Sequence, residues 1–169
     1  MSAELPVVKS EATGLSDEEF LRQFEDCSFP YAQWTHRAHL RVAYCYVTRF
    51  GLAGAIPKVT AGIRAYNRAQ GIVDTPTGGY HETMTVAWLH LVAAMLAEYG
   101  PLGTVMPGSP PILGPDAPPS QEFLEAQVQL REKKLLRLFY SRKCFGSPEA
   151  KYRFVPPDLA PLPGRAGNH

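Results

Sequence analysis

The sequence lacks the features that mark several special classes of protein. Its 169 residues carry 17 Lys and Arg against 16 Asp and Glu, so no strong net charge draws the chain to nucleic acid or an anionic membrane. The longest mainly apolar run, Val86 to Leu96, is too short to span a bilayer, and the N-terminus lacks the basic and apolar regions of a secretory signal. We therefore expect neither nucleic acid nor a membrane as a partner.

Cysteine is scarce, with three residues and no close-spaced pair. An odd, scattered set fits reduced thiols better than a disulfide framework, so we expect a cytoplasmic protein. Buried packing is the ordinary role of such cysteines. Cys45 is kept as a reserve metal ligand because it lies close in sequence to two histidines.

Alternating apolar and polar residues, the pattern of a half-buried strand, are absent from the chain. Hydrophobic residues make up 45% and charged residues 20%, which is ordinary for a globular domain. We therefore predict an all-α, single-domain bundle of about five helices over residues 15–163. Residues 1–14 are predicted to form a flexible arm and residues 164–169 a flexible C-terminus.

Capping residues and glycines predict where the helices begin and end. The first predicted helix starts at about Ser16. Three more are predicted from His36 to Phe50 before Gly51, from Leu52 or Pro57 to about Gln70, and from about His81 to Glu98. The fifth is predicted from about Ser120 to Tyr140. The last has a charged side, predicted to be solvated, made of Arg131, Glu132, Lys133, Lys134 and Arg137. A proline-rich loop at 101–119, a helical turn after Ser147 and an extended tail over 155–163 complete the prediction.

Histidines are concentrated in two short segments. His36 and His39 are three residues apart and therefore project from one helical face, while His81 begins a different helix. Three imidazoles with open positions suit one divalent metal ion, Fe(II) or Zn(II). Glu82 is a fourth ligand or a general base acting on metal-bound water. His90 lies half a helical rotation from His81 and is interpreted as a packing residue.

Several neighbouring side chains complete a candidate site. Tyr80 and Glu82 are the catalytic candidates. The residues predicted to bind or orient a small-molecule substrate are Trp34, Arg37, Arg64, Asn67 and Thr85. We therefore predict a mononuclear metal-dependent enzyme, with a non-haem iron oxygenase favoured over a zinc hydrolase or lyase because aromatic residues adjoin the histidines. Two alternatives stay open: a non-catalytic binding module with a structural histidine cluster, and an HD-like metal-dependent phosphohydrolase.

Three segments carry a resemblance that spans most of the chain after residue 16. Trp34-Thr-His-Arg-Ala-His-Leu40, Gly79-Tyr-His-Glu-Thr83 and the Pro-Asp-Leu-Ala-Pro-Leu-Pro tail at 157–163 resemble a group of uncharacterised small bacterial helical proteins. That resemblance implies no reaction. In size and in its three candidate histidine ligands the chain is similar to the DinB-like metal-binding bundles, although their close histidine pair comes late in the chain. His39-Leu-Arg-Val-Ala43 resembles the opening helix of the HD-domain phosphohydrolases, whose His-Asp dyad would here be His81-Glu82 with no late Asp ligand.

Overall fold

The computed structural model describes residues 14–104 and 114–163, and this part of the chain is helical without a β-strand. The all-α prediction is confirmed. The α-helices are α1 (Asp17–Glu25), α2 (His36–Ala69), α3 (Glu82–Tyr99), α4 (Ser120–Ala126), α5 (Arg142–Phe145) and α6 (Pro148–Tyr152). Shorter 3-10 segments lie at Tyr31–Gln33, Gly114–Asp116, Val128–Arg131 and Lys133–Leu138.

The predicted helix starts are confirmed by side-chain caps. The Ser16 hydroxyl accepts the Glu19 amide at 3.2 Å, and the Thr35 hydroxyl accepts the Ala38 amide at 3.5 Å. These bonds satisfy amides that have no partner within the first turn of a helix. Helix α3 begins one residue later than predicted, because His81 serves as its N-cap.

Helix α2 contains the break predicted at Gly51. Gly51 has φ of 70° and ψ of 170°, so the 34-residue element is two helices joined at a kink. A left-handed φ favours glycine, which has no Cβ to clash with the backbone. The second half begins directly after Gly51, and Pro57 lies inside it rather than restarting it.

Helices α2 and α3 form the central pair, and α1 and α4 pack against α2. Aromatic side chains fill much of the core between them, including Phe20, Phe24, Tyr44, Tyr66 and Phe123, each with 1% or less of its surface exposed. The Tyr66 hydroxyl donates to the Phe29 carbonyl at 2.7 Å, so this buried polar group has a partner. Among the described helices, none is long and apolar enough to cross a membrane.

The predicted fifth helix over 120–140 is wrong. Helix α4 stops at Ala126, and two 3-10 segments follow it. Gln127 leaves helical geometry with φ of −102° and ψ of 60°, and its buried amide donates to the Gly100 carbonyl at 3.2 Å. Glu132 is extended and its carboxylate caps the next turn at the Lys134 amide. A contact with the end of α3 therefore competes successfully with helix continuation.

The predicted helical turn after Ser147 and the predicted extended tail over 155–163 are both confirmed. Ser147 caps α6, and no helix follows Tyr152 in the described residues. The tail lies against residues 139–141, where the Tyr140 hydroxyl donates to the Val155 carbonyl and the Leu159 amide donates to the Phe139 carbonyl, both at 2.9 Å. The predictions for residues 1–13, 105–113 and 164–169 lie outside the described residues.

A buried ion pair joins the starts of α1 and α4 to the second turn of α2. The Arg41 guanidinium donates to Asp17 at 3.0 Å, to the Ser120 hydroxyl at 2.8 Å and to the Leu15 carbonyl. It also lies 4.4 Å from the centre of the Phe20 ring. Only 4% of the Arg41 side chain is exposed, so the charge depends on these partners rather than on water.

Arg41→Ala should lower the free energy of unfolding by about 3 kcal/mol, because it leaves the Asp17 carboxylate without its cation and opens a void beside Phe20. Urea denaturation followed by circular dichroism measures this change. Arg22→Ala is the matched control, since Arg22 forms ion pairs on the surface with Glu19 and Asp26 and should change stability little. Equal losses in the two variants would contradict the role given to Arg41.

Asp17 should also make stability depend on pH. Burial alone would raise the pKa of Asp17, but hydrogen bonds from Ser120 and Arg41 lower it below 3.8 overall. The unfolded state therefore binds the proton first, and the stabilisation from Asp17 is lost as the pH falls below about 4. The stability difference between the wild type and Asp17→Asn should shrink over that range. A difference that stays constant down to about pH 2.5 would contradict this account.

Candidate functional site: a histidine pocket

The three predicted histidines line one cavity between α2 and α3, of about 350 Å³. We call this cavity the histidine pocket. Its wall also contains three of the other predicted site residues, Asn67, Tyr80 and Thr85. The remaining lining residues are Ala43, Val59, Ile63, Gly79, Met84, Trp88, Leu89 and Lys133. A mainly apolar wall with a few polar groups is typical of a small-molecule site.

His39 presents one unprotonated ring nitrogen. Its Nδ1 lies 2.8 Å from the Thr35 carbonyl oxygen, which can only accept, so Nδ1 carries the proton and Nε2 has a free lone pair in the neutral ring. The ring packs on Trp34 with centroids 4.1 Å apart. Burial lowers the pKa of His39 to about 4, which outweighs the opposing effect of the Thr35 bond. His39 is therefore neutral at pH 7.

His36 has the opposite tautomer. Its Nε2 donates to the Leu130 carbonyl at 2.8 Å, so in the neutral ring Nδ1 carries the lone pair. The ring meets Trp88 edge-on at 4.5 Å between centroids. Burial and the nearby Lys133 cation lower the pKa of His36, against a raising effect of the Leu130 bond. His36 and His39 thus form a pair of neutral rings, each oriented by a backbone carbonyl.

His81 has partners at both ring nitrogens. Nδ1 accepts the Met84 amide at 3.0 Å as the N-cap of α3, and Nε2 donates to the Phe145 carbonyl at 3.0 Å. The ring also stacks on the Phe145 ring at 4.6 Å. Burial lowers the pKa of His81, which favours the neutral form that the cap requires. The side chain is used structurally in this arrangement.

The three histidines predicted to bind a metal line one pocket, but they do not offer three free ring nitrogens. His36 and His39 each donate one ring N–H to a backbone carbonyl, as metal-ligating histidines do. His81 has no free nitrogen, and across residues 14–104 and 114–163 no group of three His, Cys, Asp or Glu residues is arranged to hold a metal ion. The described geometry therefore supplies two oriented nitrogens and does not fit a third histidine ligand.

Glu82 lies beside the histidine pocket and does not line it. Its carboxylate accepts the Tyr80 hydroxyl at 2.6 Å and pairs with Arg64 at 3.1 Å. The Arg64 guanidinium also lies 4.6 Å from the centre of the Tyr80 ring. Burial raises the pKa of Tyr80, and its hydrogen bond to Glu82 adds to this effect. Tyr80 is therefore the member of this trio that faces the pocket.

Three other candidates lie away from the pocket wall. Trp34 stands behind His39, where it also contacts the Tyr66 ring at 4.5 Å. Arg37 donates to the Gln121 side chain at 2.7 Å. Cys45 is buried beside a different cavity, and burial raises the pKa of its thiol, so it is a poor ligand for a metal at the histidines.

The segment before α3 is held in place by a buried lysine. Lys151 is 4% exposed, and its ammonium donates to the Gly78 carbonyl at 2.8 Å and to the Tyr80 carbonyl. Gly79 between them has φ of 82°, and a Cβ there would lie 2.3 Å from the Asp74 carboxylate. The backbone that presents Tyr80 to the pocket is thus held by the Lys151 ammonium, and its close approach to Asp74 is possible because residue 79 is a glycine.

Lys133 is a lining residue that the sequence analysis missed. It was predicted to lie on a solvated side of a fifth helix; Lys133 is exposed as predicted, but it lies on a 3-10 segment instead of that helix. No local pattern distinguishes Lys133 from its charged neighbours, because its approach to the pocket depends on the 3-10 segments.

His90, interpreted as a packing residue, stacks on Phe154 at 5.9 Å and does not line the pocket. No family model, curated protein or solved structure matches the chain.

Proposed function

We propose that the protein is an enzyme that binds a small organic molecule in the histidine pocket. The observation that carries the proposal is the pair formed by His36 and His39. Each ring donates its N–H to a backbone carbonyl and keeps one unprotonated nitrogen. Both rings line the same mainly apolar cavity. We place the enzyme in the cytoplasm, as the sequence predicts, and its three cysteines are free thiols.

The two histidines act as hydrogen-bond acceptors rather than as strong bases. A general base is most effective when its pKa lies near the working pH, and the pKa of about 4 at His39 is well below that. A neutral imidazole with a fixed tautomer accepts one hydrogen bond in a defined direction. The bound molecule therefore carries a hydroxyl, amine or amide N–H that meets this pair.

Tyr80 is the proposed catalytic residue, because it lines the pocket and its hydroxyl is bonded to a carboxylate. Glu82 acts through Tyr80 as a positioning residue, and Arg64 holds Glu82 in turn. The Tyr80 hydroxyl can donate a hydrogen bond to a bound molecule that replaces Glu82 as its acceptor, and the raised pKa of Tyr80 keeps the hydroxyl protonated for this role. Asn67 and Thr85 supply further polar groups on the same wall.

A metal-dependent form of the enzyme is a second candidate. It is favoured by one observation, the carbonyl-oriented rings of His36 and His39, which are the arrangement that neutral imidazole ligands need. Fe(II) would supply oxygen chemistry and Zn(II) would supply a water of lowered pKa. In this candidate the remaining positions are filled from outside the pair, since His81 has no free nitrogen.

The tautomers are a direct prediction of this geometry. Long-range ¹H–¹⁵N spectra of the imidazole rings at about pH 7 should show the proton on Nε2 in His36 and His81 and on Nδ1 in His39. His39 should stay neutral as the pH is lowered to about 5, because its pKa is about 4. A His39 ring that titrates near 6.5 would contradict the burial assigned to it.

Ligand binding tests the pocket itself. A library of small organic fragments, screened by chemical-shift mapping on ¹⁵N-labelled protein, should give binders whose shifts centre on residues of the histidine pocket. His39→Ala should weaken such binders about tenfold, the loss expected for one hydrogen bond in an apolar site. His90→Ala is the matched control and should bind as the wild type does. Fragments that bind His39→Ala unchanged would overturn the proposal.

The same variants decide the metal candidate. Untagged protein, reconstituted with Zn(II) or anaerobically with Fe(II), should hold about one equivalent by elemental analysis if the candidate is correct. His36→Ala and His39→Ala should then lose the metal, and His90→Ala should keep it. Protein that takes up no metal but still binds fragments would reject the metal-dependent form and leave the pocket proposal standing.

A further inference from the structure

A second cavity adjoins the histidine pocket and is walled by positive charge. It measures about 570 Å³, and the four charged residues of its wall are all cations: Lys133, Lys134, Arg137 and Arg142. We call it the basic cavity. None of its lining residues is an aspartate or a glutamate. Its other lining residues are Met84, Trp88, Leu136, Tyr140, Ser141, Phe145 and Gly146.

The basic cavity and the histidine pocket share part of their walls. Met84, Trp88 and Lys133 line both. Met84 and Trp88 lie four residues apart on α3 and therefore on one face of that helix, which borders both cavities. The two cavities are thus close enough for the two ends of one small molecule.

The four cations have no carboxylate partner among the residues that the structure describes. Five arginines in that part of the chain form ion pairs, Arg22, Arg41, Arg49, Arg64 and Arg153, and none of them lines the basic cavity. Like charges gathered around one cavity repel each other and gain from an anion that enters it. The basic cavity is accordingly suited to a ligand with concentrated negative charge.

We propose that the basic cavity binds the phosphate group of a phosphorylated small organic molecule whose organic part occupies the histidine pocket. This inference rests on the proposed function and names the class of its substrate. Lysine and arginine both bind phosphate, and arginine can do so through two parallel hydrogen bonds. A phosphate dianion fits four unpaired cations better than a carboxylate does, since one arginine already satisfies a single negative charge.

The apolar residues of the shared wall restrict the rest of the molecule. Trp88 is 9% exposed, Leu136 is 5% exposed and Tyr140 is 2% exposed, so the floor of the basic cavity is a packed surface. A ring or short hydrocarbon lying on Trp88 and Met84 would be removed from water on that side. Phenyl phosphate has both required parts and is a suitable probe.

The experiment measures binding of phenyl phosphate and of inorganic phosphate by calorimetry at about 0.15 M salt, where weak surface attraction is screened. The variant Arg137→Gln/Arg142→Gln should weaken phenyl phosphate by about tenfold or more, because two charge-assisted hydrogen bonds are removed. Arg131→Gln/Lys143→Gln removes the same charge from exposed neighbours that do not line the cavity, and it should bind within about twofold of the wild type. Phenyl phosphate should also bind more tightly than benzoate.

The outcomes separate this inference from the proposed function. Loss of phenyl phosphate binding in Arg137→Gln/Arg142→Gln together with weakening in His39→Ala supports both. If His39→Ala leaves the affinity for phenyl phosphate unchanged, the result supports phosphate binding in the basic cavity and contradicts a ligand that occupies both cavities. Equal weakening in the two double variants, tighter binding of benzoate, or no binding of either phosphate by a protein that still binds fragments in the histidine pocket would overturn the inference and leave the pocket proposal in place.

Discussion

The histidine pocket depends on hydrogen bonds between the end of the chain and the start of α3. Buried Lys151 donates to two carbonyls of the segment before Glu82, and no ion pair accompanies it in the described residues. An ammonium taken out of water is costly without such partners, so the loop and the lysine fix each other. The Thr83 hydroxyl donates to the Arg153 carbonyl at 2.9 Å and accepts the Val155 amide at 3.1 Å. These bonds attach the first turn of α3 to the same part of the chain.

Local signals predicted the helices where the deciding contacts are themselves local. Ser16 and Thr35 cap through bonds that reach only three residues along the chain, and Gly51 breaks α2 through its own backbone conformation. The fifth helix was predicted from an equally good pattern and did not form. Gln127 ends α4 and bonds to Gly100, which lies 27 residues away. A local pattern of apolar and charged residues cannot predict a contact over that distance.

In the candidate site, too, local features were predictable from the sequence and long-range contacts were not. Spacing was sufficient to place His36 and His39 on one face, and the pairing of α2 with α3 brings His81 to the same cavity. The partners of the ring nitrogens were beyond the sequence, because the Leu130 and Phe145 carbonyls come from segments 94 and 64 residues away. Those bonds decide which nitrogens are free. They leave two available at His36 and His39, and they occupy both at His81.

The two cavities differ in the charged and ring groups on their walls, and backbone carbonyls set the hydrogen-bonding role of the two histidines. In the histidine pocket the carbonyls of Thr35 and Leu130 take the ring protons, so the rings offer acceptors only. In the basic cavity the lysine and arginine side chains offer donors only. Lys133 lines both cavities, so the histidine pocket combines these acceptors with one cation at its border with the basic cavity. In the proposed binding mode the phosphate lies among the cations, and this keeps the anion away from the ring lone pairs of His36 and His39.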